Sequence, residues 1–302
     1  MDILTLTKNL QQPNRKVDVV LDTDTYNEID DQYAVAYLLS YGEKLNTKAI
    51  YAAPFYNPHS ESPADGMEKS YDEILHLLDL LGREDVKPLV FKGSTDYLKD
   101  ENTPVSSPAA EHLCSLAMNY TSEEPLYVVA IGAITNIASA ILLKPEIIDR
   151  IVVVWLGGHA LHFPHNKEFN MRQDVAAARV VFGCGVPLIQ LPCQGVVSAF
   201  TISEAELLYW LKGKNALCDY LVQHTIDEVT YAKGKPWTRV IWDVTAVAWL
   251  TGDFMDSIVI PSPIPEYDHH YGTDLTRHPM RYVYSIKRDA LVQDLFARLS
   301  SL

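Results

Sequence analysis

Two apolar runs limit what this chain can become: LYVVAIG at 126–132 and IVVVWLGG at 151–158. Neither alternates between apolar and polar residues, so both faces of each must be buried, as in a parallel sheet covered by helices. Runs at 17–21, 47–55, 88–93, 186–192 and 280–286 also read as strands. Helical patterns lie between them. One opens at Asp30. In the next, at 71–82, Ile74, Leu77, Leu78 and Leu81 recur at helical spacing and Gly82 can end the helix. Others fall at 107–119, with Ser107 as cap and Pro108 in first position, at 133–143 and at 174–183. From 193 to Thr251 the chain is expected to be mostly helical, with helices at 202–213, 215–233 and 242–252. A last strand and a helix at 288–299 close it. There is no repeat, low-complexity tract or linker. Strands alternating with helices predict an α/β fold: a single three-layer α/β/α domain over 1–302 with a mostly parallel central sheet.

The first of these strand–helix units carries the chemistry. In VDVVLDTDTYNEIDDQYAVAYLL, at 17–39, the apolar run ends in Asp22 and Asp24, and a polar turn leads to Asp30 and Asp31 at the start of a helix. Asp22 and Asp24 are two apart, so in a strand they leave the same face. Four carboxylates within ten residues repel one another if the turn folds back. A hard cation removes that conflict, and oxygen-only ligands suit calcium or magnesium. The carboxyl ends of strands are also where open α/β sheets bind ligands. Taken singly, each Asp reads as a cap or turn residue.

Lys plus Arg number 25 against 39 Asp plus Glu, a net charge of −14, so nucleic-acid polymers and anionic membranes are poor partners. No apolar run is long enough to span a bilayer, and MDILTLTKNLQQPNRK lacks the apolar core of a signal peptide. Cys114, Cys184, Cys193 and Cys218 form no CxxC pair and read as reduced thiols. A cytoplasmic protein is expected.

Three further candidates lie at strand ends or at the helix starts after them. At Ile131-Gly132-Ala133-Ile134-Thr135-Asn136 the backbone can approach a ligand closely, although a plain strand-to-helix turn reads the same. Glu168-Phe169-Asn170 follows the Gly157-Gly158 turn, and its polar side chains suit sugar hydroxyls. A capping role for Asn170 or Asp174 competes. Trp242-Asp243 opens an apolar segment, where Asp243 also reads as an ordinary helix-start acid. Loop histidines 159, 162 and 165, and His269-His270, read mainly as surface residues.

Together these motifs resemble the inosine–uridine-preferring nucleoside hydrolase family. The family opens with Asp-x-Asp, a short turn and Asp-Asp, here Asp22, Asp24, Asp30 and Asp31. Its strand into Gly-x-Leu-Thr-Asn is GAITN here, its Gly-Gly followed by Glu-Phe-Asn is Gly157, Gly158 and 168–170, and its late Asp is Asp243. The resemblance implies a nucleoside hydrolase fold and a calcium-dependent N-ribohydrolase acting on small-molecule nucleosides, with a place in purine salvage. Asp24, Asp31, Asp243 and the Ile131 carbonyl would hold the Ca2+. Asp30, Asn57, Glu168 and Asn170 would bind the ribose. Asp24 would also be the general base toward a metal-held water, in a single inverting displacement with oxocarbenium character. Assembly as a dimer or tetramer is expected by analogy.

Two departures stand out. The turn TYNEI is two residues longer than the family's usual turn. Trp242 occupies the place where many members carry a His acid, and it resembles the purine-preferring branch, in which an aromatic ring stacks on the base. Trp242 as core packing reads equally well. The alternatives are a haloacid-dehalogenase-type phosphatase, from Asp22-Thr23-Asp24 after an apolar strand, and a non-catalytic relative that keeps metal and sugar binding.

Overall fold

The computed structural model describes residues 1–232 and 234–302. In chain order its strands are β1 (Val17–Thr23), β2 (Leu45–Ala52), β3 (Val90–Lys92), β4 (Leu126–Ala130), β5 (Ile151–Leu156), β6 (Leu188–Leu191), β7 (Thr201–Ser203), β8 (Thr238–Val240), β9 (Met255–Pro261), β10 (Ile264–Pro265), β11 (Tyr271–Gly272) and β12 (Pro279–Ile286). The helices are α1 (Ile3–Asn9), α2 (Asp30–Ser40), α3 (Pro63–Leu80), α4 (Pro108–Ala117), α5 (Thr135–Leu143), α6 (Phe169–Gln173), α7 (Val175–Gly183), α8 (Glu204–Trp210), α9 (Ala216–Glu228), α10 (Val244–Ala248) and α11 (Arg288–Ser300).

Eight strands form one sheet in the order β3-β2-β1-β4-β5-β6-β12-β9. Every neighbouring pair is parallel except β12 with β9 at the edge. Successive side chains of a strand feed opposite layers. Val19 and Leu21 of β1, with Tyr127 and Val129 of β4, join a core that includes α2, α3, α9, α10 and α11. Val20, Val128 and Ala130 join the other core, with α4, α5 and α7. The three-layer, mostly parallel arrangement expected from the apolar runs is therefore present.

The strand order reverses at β1, whose chain continues outward to β2 and β3 while β4 takes its other side. That crevice is where doubly wound sheets bind ligands. Asp22 and Asp24 stand at the end of β1, and Ile131 and Gly132 follow β4 directly.

The departures from expectation have local causes. Helix α3 begins at Pro63, within the stretch that reads as a polar loop, because Ser62 caps it by accepting from the Asp65 N–H and Pro63 takes its first position. The segment after 192 is less helical than expected, since β7 and β8 pair antiparallel. The helix expected to reach Lys233 ends at Glu228, and Lys233 itself lies outside the described residues. The strand β9, unforeseen in MDSIVIP, is a half-exposed antiparallel edge whose pattern is short and mixed. The N-terminal α1 was also not expected; Asp2 caps it. No described helix is long and apolar enough to cross a membrane, and all four cysteines are free.

Candidate active site

Four carboxylates converge at the switch point. Thr23, the last residue of β1, donates its hydroxyl to Asp31 of α2. Asp30 and Asp31 form the first turn of α2, where no side chain caps the helix and negative charge is favoured. Asp243 precedes α10 and makes no capping hydrogen bond, so its carboxylate is free of the helix-start role. Oxygens of Asp30, Asp31 and Asp243 lie within 4.8 Å of one another. Among the described residues, this is the group of acids, histidines or cysteines close enough to share an ion.

Asp24 is fully buried and neither of its carboxylate oxygens has a hydrogen-bond partner. Its approach to β4 depends on Gly132, because a Cβ there would sit 2.8 Å from Asp24 Oδ1 and 3.1 Å from the Ala53 methyl carbon. An unpartnered buried carboxylate is costly, and nearby carboxylates make it worse. Burial pushes Asp24 well above the usual carboxylate range, and Asp31, Asp30 and Asp22 add to the rise. Asp31 and Asp243 are raised in the same way, by burial first and then by neighbouring acids. Asp30 reaches about 6 through burial and Glu28, against the pull of Arg239. Asp22 belongs below this cluster: it accepts from Asn136 Nδ2 at 2.7 Å, and burial raises it to about 7.

A cavity of about 190 Å³ opens over this floor. Asp30, Asp243, Ile131, Glu168, Asn170 and Trp242 line it, whereas Asp24 and Asp31 are buried behind its wall. Asn170 bridges two strand ends, donating from Nδ2 to the Ile131 carbonyl at 2.9 Å and to the Leu156 carbonyl at 3.1 Å. Glu168 caps α6: its oxygens accept from the N–H groups of Asn170 and Met171, and from that of Gly158 across the loop. The cap on α6 is thus Glu168 rather than Asn170, while Asp174 caps α7. Burial still raises Glu168 above the carboxylate norm, against those three N–H groups. Gly158, with φ +75°, has no room for a side chain, since a Cβ would meet the Tyr271 hydroxyl at 2.1 Å. The Trp242 backbone N–H donates to Asp30 Oδ2 at 3.0 Å, and the half-buried Trp242 ring packs on the core while the residue lines the cavity.

Asn57 is absent from the cavity wall. Its Nδ2 donates to Asn27 Oδ1 at 2.6 Å and its Oδ1 accepts from the His59 N–H, so Asn27 stands on the wall in its place. The longer turn also sends Glu28 into the cavity, where Arg239 pairs with it at 2.6 Å. Of the loop histidines, His159 lines the cavity and is 9% exposed, and burial lowers its pKa. His162 and His165 are exposed. The Asn166 N–H donates to the His269 carbonyl, tying that segment to the Glu168 loop. Cys193 and Gln194 also line the cavity and were not foreseen. They directly follow the predicted strand at 186–192, so the strand-end rule that singled out Asp24 also points to them.

Residues 19–282 match the family described as inosine-uridine preferring nucleoside hydrolase. A non-specific ribonucleoside hydrolase, RihC, of Salmonella paratyphi B is 30% identical over 159 residues, which is 51% of this chain and 50% of that protein. The chain therefore matches about half the length of this curated relative. A plant nucleoside hydrolase, PpNRh1, superposes with a TM-score of 0.76 at 19% identity, covering 95% of this chain and 100% of that one. A purine-preferring ribonucleoside hydrolase from Gardnerella vaginalis does so with a TM-score of 0.76 at 20% identity, covering 94% and 98%. At such identity these two structures speak for the fold. The phosphatase reading of Asp22-Thr23-Asp24 gives way to the family match, which spans the strand order, the acidic floor and the Glu168 loop: the chain belongs to the inosine-uridine preferring nucleoside hydrolase family.

Proposed function

We propose that this protein hydrolyses the N-glycosidic bond of ribonucleosides, with calcium at the acidic floor and a preference for purines. The observation that carries the reading is Asp24, buried with two unpartnered oxygens beside three more buried acids. Such a donor set fits a hard cation and little else. Asp24, Asp31 and Asp243, with the Ile131 carbonyl, are the proposed ligands, and Asp30 stands close enough to contribute. Bound there, calcium supplies Lewis acidity toward water and sugar hydroxyls.

The protein's own groups do the rest. Asp30, Glu168 and Asn170 line the cavity and hold the ribose hydroxyls, which fixes the anomeric carbon over the floor. Asn27 offers the sugar contact first assigned to Asn57, and Asn57 orients it. Asp24, a carboxylate made more basic by burial, takes the proton of the attacking water. As the bond to the base breaks, the surrounding carboxylates stabilise positive charge at the ribose. One displacement inverts the anomeric centre. Trp242 presents aromatic surface to the leaving base, which favours a purine. Asp24→Asn tests the assignment. Ribose release from inosine should fall by about 10²–10⁴-fold, the usual share of a general base. Unchanged turnover refutes it.

A further inference from the structure

A second cavity, of about 450 Å³, lies on the other side of the Tyr26–Ile29 turn, between α2, α3 and α9. Glu28 lines both cavities, so the long turn is the wall between them. Four carboxylates line the second cavity: Glu28, Glu73, Asp227 and Glu228. No Lys or Arg is among its described lining residues. Two of these four carboxylates are already paired, and the other nearby cation is committed elsewhere. Arg239 pairs with Glu28 and Glu228, and Lys69 pairs with Asp65 while donating to the His59 carbonyl.

Its polar groups are short of donors. Gln32 is 6% exposed and lines this cavity, and its Oε1 is buried without a hydrogen-bond partner. Glu73, 9% exposed, accepts from the Tyr220 hydroxyl, with Gln32 Nε2 at a long 3.5 Å. Burial raises Glu228 to about 7 against the pull of Arg239, and Asp30 and Glu28 add to the rise. Aromatic surface completes the wall: Tyr26 is 45% exposed at the rim, and Tyr220 and His224 lie ring against ring at 4.1 Å.

We infer that this cavity binds a small organic cation rich in N–H donors, a guanidinium or primary ammonium head group. The carboxylates here do not gather around one point as Asp30, Asp31 and Asp243 do, so a monatomic ion gains little. A planar cation with several N–H groups reaches acceptors on separate walls, satisfies Gln32 Oε1 and lies against the rings. The inference goes beyond nucleoside hydrolysis and does not need it to be correct.

The test is calorimetric titration of the full chain with agmatine in saturating calcium, which keeps the probe out of the Asp24 floor. One-to-one binding is expected. Glu73→Gln, which keeps the shape, should weaken it about tenfold, close to what one charge-assisted hydrogen bond contributes. Tyr26→Ala, at an exposed position that puts no strain on folding, should weaken it about threefold through the lost cation–π contact. Tetramethylammonium, a cation without N–H donors, should bind far more weakly than agmatine. No agmatine binding, or binding lost in Asp243→Asn but indifferent to both Glu73→Gln and Tyr26→Ala, overturns the assignment.

Discussion

Asp243→Asn should make the metal-free protein more stable, not less. Asp243 faces Asp30 and Asp31, with oxygens within 4.8 Å. Two like charges at that distance repel by about 3 kcal/mol at an effective dielectric of about 20, and Asp243 has two such neighbours. Protonation limits the penalty. At pH 7.5 a carboxyl with an unfolded pKa near 3.8 can be protonated in the fold for about 5 kcal/mol, so the repulsion cannot cost more than that. A net gain of about 3 kcal/mol is therefore expected near pH 7.5, or roughly 5–10 °C in Tm for a chain of this size. The sign follows from linkage. Burial and neighbouring acids raise these pKa values in the fold, so the native state binds more protons than the unfolded chain at neutral pH. Stability of the metal-free protein then falls as pH rises from the unfolded value near 3.8 toward the folded ones, about 6 for Asp30 and about 7 for Asp22. The gain from Asp243→Asn should thus shrink to near zero by about pH 4–5. Thermal unfolding in chelator, at both pH values, reads it directly. With calcium added, the order should reverse, because only the parent protein is stabilised by binding. Destabilisation in chelator at both pH values refutes the reasoning and makes Asp243 a structural hydrogen-bond partner.

The remaining predictions are narrower. Trp242→Ala should lower turnover of purine nucleosides at least tenfold more than that of an activated aryl riboside, and equal losses on both substrates rule out stacking on the base. Gly132→Ala puts a methyl 2.8 Å from Asp24 Oδ1. It should cost about 1–3 kcal/mol by overpacking and weaken calcium binding measured by calorimetry; unchanged affinity means that Asp24 is not a ligand.

Much of the fold was legible because its signals are local. Uninterrupted runs such as LYVVAIG can only be buried strands, and they mark the sheet's centre. The edge was not legible, since β9 depends on pairing with β12 and its side chains are half exposed. Helix α3 was legible only in part: Ser62-Pro63 is the same start signal as Ser107-Pro108, but it lies in a run of turn formers. In the site, charge repulsion among acids close in sequence pointed to Asp24, Asp30 and Asp31, whereas Asp22 turns to Asn136 and the fourth floor acid, Asp243, comes from far along the chain. Asn27 could not be told from Asn57 in this way, as the choice turns on which amide faces the cavity and which braces it. Asp30 joins Asp31 and Asp243 more closely than its assignment to sugar alone suggests. The second cavity had no sequence signal, because Gln32, Glu73 and Glu228 come from three separate helices.

The central claim is tested most directly by a reducing-sugar assay on inosine, guanosine, adenosine, uridine, cytidine and an aryl riboside, each with calcium and with chelator. The account predicts ribose release that depends on calcium, with the purine nucleosides ahead of the pyrimidine ones. Calcium bound at the Asp24 floor without release from any of the six contradicts it. That result would make the chain a metal-holding, non-catalytic member of its family, with the five-residue TYNEI turn as the first feature to shorten.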